Sequence, residues 1–360
     1  MKFRQVELLA ATSITTAGTK VIDINIKDVI SRLTIILICT NSNNTPIGHP
    51  TQIIKQVDLV DGSNVLHSMR GCYTAGVAFY GTGKQPHQFL NYRTLGKPKS
   101  VIPIYFGREL WDRELALDPQ AFNNLQMKIE HNYALGANTT SDVTIEVWAD
   151  VFDDRPEGLT GFLMAKSHWT KTLVVSTTDY VDLPTDHPIR LIMPAALSKT
   201  EEPDVNIASF KISEEQDKRV LIECNSKQAL KLFEADYPLW SEMSENLLVA
   251  NADKHTFCSV CKDVQLQPIM SEDSDGIIHA PWSGGYDRTL DGSVGGTITT
   301  LITGRSAFGI IPLPIGRRNV IDDWWNTPEL GSARIKMVTG AGDTSALYEL
   351  LLQQYRKYSS

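Results

Sequence analysis

The sequence predicts an all-β protein built from two tandem antiparallel jelly-roll sandwiches, each with a short flanking helix, plus a C-terminal helix. Three observations lead to this prediction: short runs of alternating apolar and polar residues, a strand–turn–strand–helix pattern that occurs twice, and a length of 360 residues. Alternation with a period of two is typical of strands buried on one face. A chain of this length has room for two hydrophobic cores.

Alternating runs occur along most of the chain. Ile22, Ile24 and Ile26 alternate with polar residues, and similar runs lie at 125–130, 143–147, 207–212, 220–224, 297–303 and 333–339. Turn formers such as Asp61-Gly62 separate the runs, because glycine accepts the positive φ of a tight turn. Eight strands in two facing sheets form a jelly roll, and the strand pattern leaves eight or ten strands per half open.

The internal repeat divides the chain into two halves. In each half, two strands joined by a tight turn lead into a short helix with one apolar face. These elements fall at 52–60, 64–67 and 69–80 in the first half, and at 205–212, 218–224 and 225–237 in the second. The charged segment 153–158, which contains Pro156 and Gly158, is the expected linker. The predicted domains are 1–152 for the first jelly roll, 153–343 for the second and 344–360 for the C-terminal helix.

The last segment, 344–358, is interpreted as a helix with two neighbouring apolar stripes. Asp343 or Thr344 can cap its start, and Arg356-Lys357 lie near its end, where cations stabilise the helix dipole. Such a helix would be about 22 Å long, too short to cross a bilayer. We expect it to dock on its own jelly roll, on a neighbouring subunit or at a membrane surface.

Composition narrows the function classes. The chain has a net charge of −8, with 42% hydrophobic and 21% charged residues. Such a balance is typical of a well-packed protein, and no basic domain predicts sequence-specific nucleic-acid binding. The longest apolar run, near 35–39, has the length of a strand. Five scattered cysteines do not form a disulfide framework and suit a reducing cytoplasm.

Motifs that could carry chemistry are incomplete, so no catalytic, cofactor-binding or metal-binding residue is predicted. The glycine–lysine pairs at 83–84 and 96–97 lack the other residues of a phosphate loop. The segment 304–309 has Phe308 where a nucleophile elbow requires glycine, which favours a surface turn. The acidic segment 273–276 lacks the glutamate that closes an EF-hand loop, which leaves a looser surface cation site open.

Cysteines and tryptophans leave narrower alternatives open. Cys258 and Cys261 form a CxxC pair with His255 nearby, which could suggest a metal or redox site. A structural zinc site needs four ligands and a redox pair needs a thioredoxin-like context, so ordinary reduced thiols are favoured. Trp282 and Trp324-Trp325 could stack on a sugar, although buried aromatic residues are more common.

A family resemblance rests on four segments. Ile104 to Leu110, Leu115 to Asp118, Leu125 to Ile129 and Val77 to Tyr80 resemble segments of double-jelly-roll major capsid proteins of membrane-containing icosahedral bacteriophages. The small lipid-containing phages of aquatic bacteria, including the single-stranded-DNA group, are the most similar. The resemblance covers most of the chain in length and architecture and includes no invariant motif.

The resemblance implies a structural protein of the virion with no enzymatic activity and no cofactor. It implies a homotrimer that forms a pseudo-hexagonal capsomer, and an icosahedral shell around an internal membrane, assembled in the host cytoplasm. Minor capsid or vertex proteins and the internal lipid membrane are the further expected partners. Two alternatives stay open: a viral spike or vertex protein, and a glycan-binding β-sandwich protein.

Overall fold

The computed structural model describes residues 2–137, 143–249, 254–271, 285–290 and 296–358. The first-half strands are β1 (Phe3–Ile14), β2 (Gly18–Asp23), β3 (Ile30–Cys39), β4 (Ile54–Asp61), β5 (Asn64–Met69), β6 (Gln88–Asn91), β7 (Lys99–Tyr105), β8 (Leu125–His131) and β9 (Val143–Phe152). The second-half strands are β10 (Gly161–Thr172), β11 (Thr178–Asp182), β12 (Ile189–Leu197), β13 (Ile207–Glu214), β14 (Arg219–Asn225), β15 (Trp240–Leu248), β16 (Lys254–Phe257), β17 (Val260–Ser271), β18 (Asp287–Leu290), β19 (Gly296–Ala307), β20 (Leu313–Pro314), β21 (Ala333–Thr339) and β22 (Leu347–Lys357). The α-helices are α1 (Gly71–Thr82), α2 (Pro203–Asn206) and α3 (Ser226–Phe233). No helix in the described part of the chain is long and apolar enough to span a membrane.

Both halves have the same strand order. In the first half, β1-β9-β3-β7 faces β2-β8-β4-β5 across a hydrophobic core. In the second half, β10-β22-β12-β20 faces β11-β21-β13-β14 across a second core. Each of these eight strands in one half has a counterpart at the same place in the other, and each half has a helix after the fourth strand of its second sheet. The predicted fold class, two tandem jelly rolls, is therefore confirmed.

The sheets cross the boundary between the halves. Strand β5 pairs in parallel with β10 through Ala165–His67 and Lys166–Ser68, so two four-stranded sheets join into one of eight strands. Strands β15, β19 and β17, inserted between α3 and β20, extend the first sheet of the first half through a parallel pairing of β15 with β6. The segment 153–158 connects β9 to β10.

The predicted C-terminal helix is wrong: the segment forms β22, which lies between β10 and β12. Both faces of this strand are buried. Tyr348, Leu350 and Leu352 belong to the second core, whereas Leu351 belongs to the first. A strand with apolar residues on both faces shows no alternation, and periodicity then cannot separate it from a buried helix. The segment predicted as a separate C-terminal unit is thus a central part of the second jelly roll.

One of the two flanking helices also differs from the expectation. Each was expected to have one apolar face. Helix α3 does, with Ser226, Ala229 and Leu230 buried. Helix α1 is buried on all sides, from Gly71 to Gly81. It ends at Gly83, whose φ of 72° allows its N–H to bond the Phe79 carbonyl at 2.7 Å.

Candidate functional site: the joint between the jelly rolls

Helix α1 lies between the two jelly rolls and is held at both of its ends by the second. Its sequence is rich in small residues, which let neighbouring groups come close. A Cβ atom on Gly76 would lie 2.5 Å from Ile310 Cδ1, a contact that a larger residue could make only by displacing Ile310. The helix therefore forms through tertiary packing, because its glycines have low intrinsic helix propensity.

At the N-terminal end of α1, an ion pair links the helix to β22. The Arg70 Nε donates to Glu349 Oε1 at 2.6 Å, and the Ser167 hydroxyl donates to Glu349 Oε2 at 2.5 Å. The Tyr73 hydroxyl donates to the Leu347 carbonyl at 3.1 Å. Burial by itself would lower the pKa of Arg70, but the hydrogen bond and charge of Glu349 raise it above its ordinary value. Removal of Arg70 would leave the buried Glu349 carboxylate without its cation.

At the C-terminal end of α1, a buried guanidinium makes the link. Arg190 on β12 donates to the Gly81 carbonyl at 2.8 Å, to Gln353 Oε1 at 2.6 Å and to the Arg318 carbonyl at 2.9 Å. Its guanidinium also lies 5.6 Å from the Trp324 ring centroid. Burial lowers the pKa of Arg190 to about 10, so it remains charged at neutral pH. The carbonyls at a helix C-terminus carry partial negative charge, which stabilises this cation.

An aromatic cluster fills the space between α1 and the inserted strands. The Phe79 ring makes edge contacts with Tyr80 and Trp240, at centroid distances of 5.0 and 5.2 Å. Tyr80 also contacts Tyr237 at 4.9 Å, and its hydroxyl accepts from the Ala307 N–H at 3.0 Å. Residues from both halves therefore share one continuous core, which favours a rigid unit over two independently moving domains.

A buried polar chain ties a first-half loop to the inserted strands. His49 Nδ1 accepts from the Thr51 N–H at 3.2 Å, so we assign the proton to Nε2, which lies 3.1 Å from Ser259 Oγ. Ser259 Oγ in turn donates to Glu242 Oε2 at 2.7 Å, and Trp240 Nε1 donates to the same oxygen at 3.0 Å. Burial lowers the pKa of His49 to about 3 and raises that of Glu242. The serine lies between the histidine and the carboxylate, whereas a catalytic triad needs the histidine in the middle.

The CxxC pair lies inside the core. Cys258 and Cys261 are buried, and burial raises the pKa of Cys258 to about 12 and that of Cys261 well above its usual range. Both thiols therefore stay protonated at neutral pH, whereas a nucleophile or a metal ligand needs the thiolate. His255, the histidine near this pair in the sequence, has its Nδ1 at 2.8 Å from Asp287 Oδ1. Within the described ranges, no group of three or more His, Cys, Asp and Glu side chains could hold a metal ion.

Ser306 and the two adjacent tryptophans, which the sequence analysis also considered as candidates for a site, are buried in the fold. Ser306, expected in a surface turn, is buried at the end of β19 and donates to the Ile310 carbonyl at 2.7 Å. Trp324 and Trp325 are buried, and Trp325 Nε1 donates to Glu214 at 2.9 Å, so neither offers a ring face to a sugar. Trp282 and the acidic segment 273–276 lie outside the described residues.

Sequence reasoning missed the four polar side chains that hold α1: Arg70, Arg190, Glu349 and Gln353. A signal for two of them exists in the sequence. Glu349 and Gln353 interrupt an otherwise apolar run, four residues apart. On a helix, this spacing places them on one exposed face. On the buried strand β22, the same spacing places both side chains on the face toward α1, where they accept hydrogen bonds from Arg70 and Arg190.

Two surfaces are open in the isolated chain. Helix α3 exposes Lys227, Lys231 and Leu232, the last at 64%. The face of β1-β9-β3-β7 that points away from the core is not covered by other strands of the described chain, and it carries the half-buried Trp148 and Ile36. Edge strands and apolar surface residues of this kind are common at protein–protein contacts.

Solved structures with the same fold span almost the whole chain. The STIV MCP aligns with a TM-score of 0.61 at 10% identity, covering 99% of this chain and 97% of that one. The major capsid protein P2 from bacteriophage PM2 aligns with a TM-score of 0.57 at 9% identity, covering 100% and 98%. The atomic structure of Sulfolobus turreted icosahedral virus gives a TM-score of 0.57 at 10% identity, covering 99% and 91%. No protein-family model and no curated protein matches the sequence.

Proposed function

We propose that this chain is the major capsid protein of an icosahedral virus. The observation that carries the proposal is the likeness in fold, over 97–98% of their length, to two major capsid proteins. The joint adds physical support, because a shell protein needs a rigid building block and α1 fuses the two jelly rolls into one. The protein acts by assembling and has no catalytic role, in keeping with the burial of Cys258, Cys261, Ser259 and Ser306.

Three copies form a capsomer with six jelly rolls. The identical strand order of the two halves supports this arrangement, because six similar units around a three-fold axis can make similar lateral contacts. We propose 1–152 as the first jelly roll and 153–358 as the second, with β22 now included. The capsomers tile a shell around an internal membrane and contact minor capsid or vertex proteins. Assembly takes place in the host cytoplasm, and the mature protein resides in the virion.

The oligomeric state and shape test this proposal. Purified protein should elute with a light-scattering mass near three times the 40.0 kDa of the chain and give compact six-lobed particles by negative-stain electron microscopy. The interfaces between copies should bury a surface area typical of obligate complexes. A monomer at micromolar concentration would contradict the proposal. Copy number in purified virions separates a shell protein, which is the most abundant protein of the capsid, from a spike that occurs only at the vertices.

A further inference from the structure

The joint between the two jelly rolls has two components, namely the pairing of β5 with β10 and the covered helix α1. Each component has a counterpart elsewhere in the chain that the described residues leave exposed. Within the chain, the edge of β5 pairs with β10, and α1 is covered by the outer face of the sheet that begins with β10. The counterpart of β5 is β14, and the counterpart of α1 is α3. The counterparts of β10 and its sheet are β1 and β1-β9-β3-β7. All four counterparts lie at the open ends of the described fold.

We infer that β14 and α3 of one copy dock on β1 and the outer face of β9 and β3 of a second copy. This contact repeats between chains the joint that β5 and α1 make within the chain. The inference rests on the proposed capsomer and names the surface through which its copies meet.

The two edges carry backbone groups that the described chain leaves unpaired. In the described sheets, β14 pairs only with β13, and β1 pairs only with β9. β1 is twelve residues long and mostly exposed, with Phe3 at 46%. A long exposed edge is a ready partner for another strand. By analogy with β5 and β10, the pairing between copies is parallel.

Apolar groups are present on both surfaces. Leu232 on α3 and Leu239 just after it are 64% and 54% exposed. On the other surface, Trp148 of β9 and Ile36 of β3 are half-buried, and no other strand of the described chain lies over them. A tryptophan in this position is a typical anchor of a protein interface.

The two surfaces carry opposite charges at the positions that the inferred contact uses. Lys227 and Lys231 line an open hollow of about 430 Å³ with Arg305, Asp263 and Lys262, and Lys262 is paired with Glu202 and Asp204. On the outer face of the sheet, Arg32 is paired with Asp150. On the outer face, Glu146 of β9 and Glu7 of β1 flank Trp148, since Glu7 lies directly opposite Trp148 in the pairing of these strands. Complementary charge of this kind orients partners and fixes the register of a contact.

The contact joins different surfaces of the two copies, so it is heterologous. Heterologous contacts form a ring if the rotation between copies closes, and an open filament if it does not. In the proposed trimer, three internal joints and three joints between chains alternate around the ring. Each of the six jelly rolls then has the same kind of neighbour on both sides.

Charge reversal on α3 tests the inference. The variant Lys227→Glu/Lys231→Glu should change the light-scattering mass from three chains to one, because each new carboxylate would face Glu7 and Glu146. Both lysines are exposed, so the near-UV circular dichroism of the variant should match that of the wild type. Lys84→Glu/Lys97→Glu is the matched control, since these lysines are also exposed but lie in the two first-half loops that flank β6, and this variant should remain trimeric.

A second set of changes tests the partner surface. Glu7→Lys/Glu146→Lys should also give monomers, and the combination of all four changes should restore the trimer. If the wild type is trimeric and the α3 variant stays trimeric, the inference is wrong while the proposed capsomer stands. If the α3 variant is monomeric and the four changes together do not restore the trimer, the partner surface is wrong and the inference is overturned. A monomeric wild type would contradict the proposed function itself.

Discussion

Helices α1 and α3 occupy the same place in two jelly rolls of the same strand order, yet their surroundings are opposite. Helix α1 is buried from Gly71 to Gly81, whereas α3 buries three of its eight residues and exposes two lysines and Leu232. The second jelly roll covers α1 on the side that its own jelly roll leaves open, whereas the described chain leaves the outer side of α3 exposed. The comparison teaches that the same helix of a repeated fold can be a buried joint in one half of a chain and an open surface in the other, and we propose that the open surface joins the copies.

The largest expected effect comes from removal of the strand that holds α1 in place. Truncation after Gly342 deletes β22, the central strand between β10 and β12, and with it Glu349 and Gln353. We expect no soluble folded protein, because two hydrophobic cores would be opened at once. The control is truncation after Tyr358, which should fold normally. Soluble protein with native circular dichroism after truncation at Gly342 would contradict the account of the joint.

The next effect contrasts a buried side chain of α1 with an exposed side chain of α3, starting with α1. Phe79→Ala removes a ring that contacts Tyr80, Tyr237 and Trp240 in the buried cluster. The free energy of unfolding should fall by about 3–5 kcal/mol, as expected for loss of a buried aromatic side chain. Urea denaturation followed by fluorescence measures it. A loss below about 1 kcal/mol would mean that α1 is not a core element.

A pH effect is also expected from a histidine that contacts α1, in addition to the effect of the buried His49. His67 is buried beneath α1, with Nε2 at 3.1 Å from Thr74 Oγ1, and burial lowers the pKa of His67 to about 4. Between about pH 6.5 and 4 the unfolded chain therefore binds a proton at this residue that the folded chain does not, so stability falls as the pH falls. One such histidine contributes about 1.4 kcal/mol per pH unit.

The variant His67→Gln should remove this contribution. The stability of the variant should decline less steeply than that of the wild type over the same pH range. The matched control is His168→Gln, which changes an exposed histidine on β10 and should leave the slope unaltered. Denaturation midpoints from pH 7 to pH 4.5 measure the difference, and parallel curves for wild type and His67→Gln would disprove the assignment.

The smallest effect is expected on α3. Leu232→Ala changes a side chain that is 64% exposed, so the free energy of unfolding of the monomer should change by no more than about 0.5 kcal/mol. The measurement is made in the monomeric Lys227→Glu/Lys231→Glu background, so that association does not contribute. A loss above 1 kcal/mol would show that α3 packs within its own chain as tightly as α1 does.

The sequence predicted those parts of the fold in which one face of an element is buried. Strands β4 and β5 with α1, and β13 and β14 with α3, were found from alternation and turn residues such as Asp61-Gly62. It failed for β22, where apolar residues on both faces hide the period of two. It also failed to predict that α1 is buried on all sides, because the cover comes from residues more than 100 positions away, such as Arg190 and Glu349. The parallel pairing of β15 with β6 was also out of reach, since it depends on chain topology and no local pattern signals it.

A cryo-electron microscopy map of the purified wild-type oligomer tests the central claim most directly, namely that the joint within the chain is repeated between chains. The account predicts three copies and six jelly rolls in a ring. It predicts β14 of each copy parallel to β1 of the next, and α3 covered by β9 and β3 beside Trp148. A map in which the copies meet through other surfaces and α3 remains in solvent would contradict it.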